Sequence, residues 1–136
     1  MQNKKISSYI MQGLRYLLAV FMIYAGAQHF MKPLFYIPFV PAFLPWKECI
    51  VLLSGIAEVL VGACLFFPPR ISRWGGLAVF VMMLVFMPIH IWDVFSDTPA
   101  IGNHKVAIIR VFVQIIFLLW TWSVYRFLSR KNQYNA

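Results

Sequence analysis

Hydrophobic residues along this chain gather into four long blocks separated by short polar or proline-rich breaks. The first covers roughly 16–30 and reaches back through Gln12 if Arg15 snorkels toward the headgroups. The second covers 49–67 and stops at Pro68-Pro69, the third 74–95, the fourth 106–127. Each approaches the ~20 helical residues that cross a bilayer core. The pattern predicts an all-α chain: an integral membrane four-helix bundle forming one domain over 1–136, with helices about 14–30, 49–67, 74–95 and 106–127.

The first break is unusual. Pro33, Pro38, Pro41 and Pro45 punctuate a stretch that also holds Phe35, Tyr36, Phe39, Phe43 and Trp46. The prolines forbid one continuous helix, while the aromatics favour a membrane–water boundary. Two readings stand: a folded lid across the mouth of the helices, or a plain interfacial anchor.

Composition agrees with the membrane class. Of 136 residues, 62% are hydrophobic and 12% charged, against about 25% charged in an ordinary soluble domain. A soluble chain of this size could not bury so much apolar surface. The net charge of +8 would suit nucleic acid, but the basic residues sit between apolar blocks rather than along one face. Nucleic acid is therefore not an expected partner; the lipid bilayer is, together with a protein partner or a homo-oligomer.

The distribution of Lys and Arg sets the expected orientation. Lys4, Lys5, Arg15, Arg70, Arg73, Arg126, Arg130 and Lys131 flank one set of block ends, whereas the other two connections carry only Lys32, Lys47 and Lys105. Both termini are expected in the cytoplasm, with the connections 31–48 and 96–105 outside, in the cytoplasmic (inner) membrane of a bacterium. Ala25-Gly26-Ala27 after a basic start imitates a signal-peptide cleavage site, but cleavage there would disturb this charge pattern. Cys49 and Cys64 are separated by roughly 22 Å of helix, beyond disulfide reach, so packing is their expected role.

Six polar side chains interrupt the apolar blocks: His29, Glu58, His90, Asp93, Arg110 and Gln114. Each charged one costs about 2.5–3.5 kcal/mol to insert, and so calls for a partner or a purpose. With the expected orientation all six fall in the outer half. Ser54, Gly55, Glu58 and Gly62 share a stripe that turns Glu58 inward; His90 with Asp93 and Arg110 with Gln114 share faces. Pro88 predicts a kink below His90 that frees a carbonyl. One interpretation is a Glu58–Arg110 ion pair that fixes register. The other is a polar pocket for a small headgroup or for protons. A metal site from His29, His90, Glu58 and Asp93 is conceivable, but no local spacing demands it.

Several runs resemble DoxX-like membrane proteins. They are Gly26-Ala27-Gln28-His29-Phe30 with Pro33, Phe35-Tyr36, Pro41 and Leu44-Pro45; Ser54-Gly55-Ile56-Ala57-Glu58 with Gly62 and Leu65-Phe66-Phe67-Pro68; Trp74-Gly75-Gly76-Leu77 with Pro88 and Ile91; and Arg110 with Gln114 and Trp120. The likeness covers about residues 14–125, with His90 standing where that family often has an Asn-like residue. It implies a four-helix membrane bundle. Named members are subunits linked to quinone reduction, as in thiosulfate:quinone oxidoreductase and a terminal quinol oxidase complex, while distant relatives are receptor assembly chaperones.

The resulting expectation is a membrane subunit, conceivably part of an oxidoreductase, that binds a quinone or another small amphipathic ligand. Arg110 and His90 would hydrogen-bond a carbonyl of the ligand, with His29 and Gln114 in the same site. Glu58 and Asp93 would hold the arginine and relay protons. The chain carries no haem, flavin or iron–sulfur signature, so electrons would come from a partner. The alternatives are a non-enzymatic assembly subunit of a larger membrane complex and, third, a small proton-coupled transporter.

Overall fold

The computed structural model describes residues 2–134. They form five α-helices: α1 (Gln2–Met31), α2 (Pro33–Tyr36), α3 (Lys47–Cys64), α4 (Pro69–Phe95) and α5 (His104–Tyr134), with one 3₁₀ turn at Ile37–Phe39. Three stretches are long and apolar enough to cross a membrane: Lys5–Met31, Pro69–Phe95 and His104–Gln133. α3 differs because Lys47, Glu48 and Glu58 fall within its 18 residues.

The helix limits differ from those expected, for local reasons. α4 begins at Pro69 rather than near Trp74, since a proline at the first helical position loses no hydrogen bond the helix needed. α5 begins at His104 because the Asn103 side chain accepts from the Val106 N–H at 3.0 Å, an N-cap. α3 ends at Cys64, and Leu65–Phe67 tighten into i→i−3 turns. Trp46 adopts a left-handed backbone, φ 51° and ψ 48°, where the chain turns into α3.

Helices pair as α1 on α3 and α4 on α5, with α3 also meeting α4 and α1 meeting α5. Glycine permits the first pairing. A Cβ at Gly26 would lie 2.6 Å from the Gly55 carbonyl oxygen, and one at Gly55 would lie 2.7 Å from His29 Cβ. Near the opposite end, Leu18, Ala19, Met22, Leu65, Val79, Met83, Val124 and Leu128 form the buried apolar cluster.

Arg15 does not snorkel. It is only 3% exposed, and its guanidinium donates to the Leu65 and Phe67 carbonyls and to Gln12 Oε1. Those carbonyls belong to the turn ending α3, where helix geometry leaves acceptors unserved and the dipole is negative. A buried cation there is satisfied where it lies, so it has no need of the headgroups.

Large apolar side chains cover the outside. Leu53, Leu60, Trp92, Phe112, Ile116 and Leu119 are all exposed. Such a surface far exceeds the apolar patches that soluble monomers carry.

Candidate functional site

The segment between α1 and α3 folds back over one end of the helices. Tyr36 stacks on the His29 ring, 4.0 Å between centroids, and Phe39 lies 4.3 Å beneath the Arg110 guanidinium. One aromatic therefore rests on each helix pair. Under this cover lies a cavity of about 450 Å³. Phe35, Tyr36, Phe39, Val40, Pro41 and Leu44 come from the covering segment. Ile50, Val51, Ser54, Val85, Phe86, Ile89 and Ile101 supply most of the remaining wall, and His29, His90 and Arg110 join the Tyr36 phenol as its charged or titratable groups. The covering segment thus forms part of the wall, as the lid reading requires. Phe43 and Trp46 still point outward, exposed by 82% and 81%.

The six polar residues sort into two ion pairs and two separate groups. His29 Nε2 lies 3.6 Å from Glu58 Oε1. Its Nδ1 is 2.9 Å from the Val51 carbonyl and 2.9 Å from Ser54 Oγ, while Ser54 donates to the same carbonyl at 2.8 Å. A carbonyl only accepts, so Nδ1 carries the hydrogen and Nε2 faces Glu58. Glu58 is 5% exposed and its Oε2 has no partner among the described residues.

Asp93 forms the second pair. Its Oδ2 accepts from Arg110 Nη1 at 3.3 Å and its Oδ1 accepts the Ala100 N–H at 2.6 Å. A Glu58–Arg110 pair does not form: Glu58 turns toward α1 across the glycine contact, and Arg110 on α5 meets the partner helix α4. Of the two carboxylates expected to hold Arg110, only Asp93 does so.

Gln114 stands apart from the cavity lining and donates to the Met83 carbonyl at 2.7 Å. That carbonyl neighbours Leu84, whose helical donor Pro88 lacks. His90 lines the cavity, and its buried Nδ1 has no partner among the described residues. No three His, Cys, Asp or Glu side chains among the described residues gather to hold a metal ion.

Ser54, Tyr36 and Phe39 belong to the site although the sequence alone does not mark them as site residues. Ser54 was legible only as part of a small-residue stripe, and the two aromatics only as members of an apolar loop. Outside the spans, burial and the nearby Glu58 raise the pKa of the Tyr36 phenol above its ordinary value, so it stays a neutral O–H donor at physiological pH.

The DoxX resemblance does not hold. The motifs behind it are mostly Gly, Ala and Pro placements, which close helix contact and helix ends demand of many membrane proteins. No curated protein and no solved structure matches the chain. A family model described as a domain of unknown function, DUF8561, matches residues 18–125. The match spans well over half of the sequence and includes the covering segment and both ion pairs, so the chain belongs to the DUF8561 family.

Proposed function

We propose that the chain is an integral membrane protein of a bacterial cytoplasmic membrane, with all four long helices in the bilayer and both termini in the cytoplasm. On this reading the covered cavity binds a small amphipathic molecule. For α3 as the fourth span, the support is its outward face of Leu53, Ile56 and Leu60, with Glu58 buried on the other side. Lys47 and Glu48 sit in its first turn, at the depth where charges reach water.

The observation that carries the ligand reading is the His90 Nδ1. It is a buried nitrogen with no partner among the described residues, on the wall of a mostly apolar cavity beside Arg110. Unpaired buried polar atoms are costly, and a few convergent polar groups in an apolar cleft are the mark of a ligand site. A ligand with a carbonyl or similar acceptor would meet Arg110 and His90, its apolar body lying against Phe35, Leu44, Val85 and Ile89. A quinone fits that description, as do other carbonyl-bearing amphiphiles. Asp93 orients Arg110. The His29–Glu58 pair, two buried titratable groups 3.6 Å apart, is the proton-handling element of this reading, with Val51 and Ser54 in contact with His29 Nδ1.

The test is mass spectrometry of small molecules and proteins released from the chain after mild extraction from its own membranes. A retained amphiphile that disappears in a folded His90→Leu variant is the expected result. Equal retention in that variant overturns the assignment of His90. A stoichiometric protein partner without any small molecule favours the second reading, an assembly subunit, for which the exposed Trp92, Phe95 and Phe112 faces offer the contact surface.

A further inference from the structure

A second cleft lies far along the helices from the covered cavity, between the C-terminal end of α3 and the first turns of α4. It measures about 640 Å³ and is lined by Val61 and Cys64 on one side and by Arg70, Arg73, Trp74 and Gly75 on the other. Gly75 shapes it: a Cβ there would lie 2.9 Å from Cys64 Cβ, so the two helices meet closely just beyond the opening.

The charges around this cleft are unbalanced. Neither Arg70 nor Arg73 has an acidic partner among the described residues, and the buried Nε of Arg73 makes no hydrogen bond among them. The chain has only four acidic residues. Glu58, the one nearest in α3, turns toward α1, where it meets His29; Glu48 and Asp93 belong to the far ends of their helices and Asp97 to the connection after α4. The carbonyls closing α3 are occupied by the buried Arg15. At the start of α4 Pro69 has no N–H, and the Ile71 and Ser72 N–H groups donate to the Pro68 carbonyl, so the positive charge of the cleft comes from the two arginine side chains. Trp74 is exposed and lies 5.0 Å from the Arg73 guanidinium, the amphipathic arrangement favoured at a membrane interface.

We propose that the α3–α4 cleft binds the phosphate of an anionic lipid headgroup, held by Arg70 and Arg73, with an acyl chain passing over Val61 and Ala78. Basic pockets between membrane helices on the cytoplasmic side suit such headgroups, and guanidinium groups pair with phosphate through two parallel hydrogen bonds. The site rests on the membrane reading above but not on the covered cavity.

Native mass spectrometry of the full chain in micelles containing equal phosphatidylglycerol and phosphatidylcholine tests it. Wild type should retain the acidic lipid preferentially. Arg70→Gln/Arg73→Gln should lower that retention by roughly tenfold or more, and Arg73→Gln alone by a smaller factor should the double variant not fold. Arg130→Gln/Lys131→Gln, outside the cleft, should retain the lipid as wild type does. No preference for the acidic lipid in wild type overturns the proposal, as does undiminished retention in either Arg73 variant. Release of the lipid by excess inorganic phosphate overturns the lipid assignment in favour of the free anion. A chain that leaves the membrane fraction on alkaline washing refutes the membrane reading itself, a result distinct from any of these.

Discussion

Asp93 makes two contacts at once, to the Arg110 guanidinium and to the Ala100 N–H, and it is only 7% exposed. Changing it to Asn preserves shape and an acceptor for Ala100 but leaves Arg110 without a counter-charge, with the Phe39 ring as its remaining cationic contact. Breaking such a pair from one side costs about 3 kcal/mol or more. Asp93→Asn should therefore lower the unfolding midpoint in detergent clearly, and Asp93→Asn/Arg110→Met should recover part of the loss. A double variant no better than the single one would mean that Asp93 acts through the Ala100 turn alone. Arg15 permits a parallel test. Arg15→Met keeps the apolar stem but strips the carbonyls of Leu65 and Phe67 of their donor, at a cost of about 2–3 kcal/mol in the same measurement. At this scale the sequence reveals which residues are anomalous, because a charge in an apolar block is visible without coordinates. It does not reveal their partners. Glu58 had Arg110 and His29 within conceivable reach, and the choice was made by the glycines that bring α1 onto α3.

The helices themselves were legible from the long apolar blocks, and their ends less so, since capping by Asn103 and the proline start of α4 act below the resolution of hydropathy. Close pairing of α1 with α3 rests on positions where a methyl group has no room. A Cβ at Gly26 would meet the Gly55 carbonyl at 2.6 Å and Val59 at 2.8 Å, whereas one at Gly13 meets nothing within 4 Å. Both glycines lie in α1, and alanine is the better helix former by about 1 kcal/mol. Gly13→Ala should thus be neutral or slightly stabilising. Gly26→Ala should destabilise by about 1–3 kcal/mol, because the obstructing atom is backbone and cannot rotate away. Thermal unfolding of the two variants side by side reads the difference directly, and similar midpoints would mean that the α1–α3 contact yields to a methyl group at Gly26. The covering segment was the element least legible in sequence: its prolines excluded one continuous helix, leaving room for the short α2 and the 3₁₀ turn, and its aromatics indicated an interface. Neither could show that Tyr36 would settle on His29 and Phe39 under Arg110, contacts that depend on two different helix pairs.

Across the whole molecule the basic residues are divided between two ends. Lys32, Lys47, Lys105 and the Asp93-paired Arg110 lie near the covered cavity, while Lys5, Arg15, Arg70, Arg73, Arg126, Arg130 and Lys131 lie toward the opposite end. On the proposed membrane reading the positive-inside rule would put the richer end in the cytoplasm, and the two native cysteines offer a direct test of it. Cys49 is exposed in the first turn of α3 beside the covering segment, whereas Cys64 is partly buried at the other end. A membrane-impermeant maleimide added to intact cells with a permeable outer envelope should modify wild type and Cys64→Ser but not Cys49→Ser. Modification of Cys64 should require disruption of the inner membrane. The reverse pattern would invert the chain, and its consequences would reach both proposed sites. The covered cavity would then open toward the cytoplasm, and the arginine cleft would face the leaflet where the electrostatic attraction of a polybasic end to anionic lipid no longer follows from orientation. Labelling therefore decides more than topology: it sets which leaflet supplies the headgroup at Arg70 and Arg73, and from which side an amphiphile reaches Arg110.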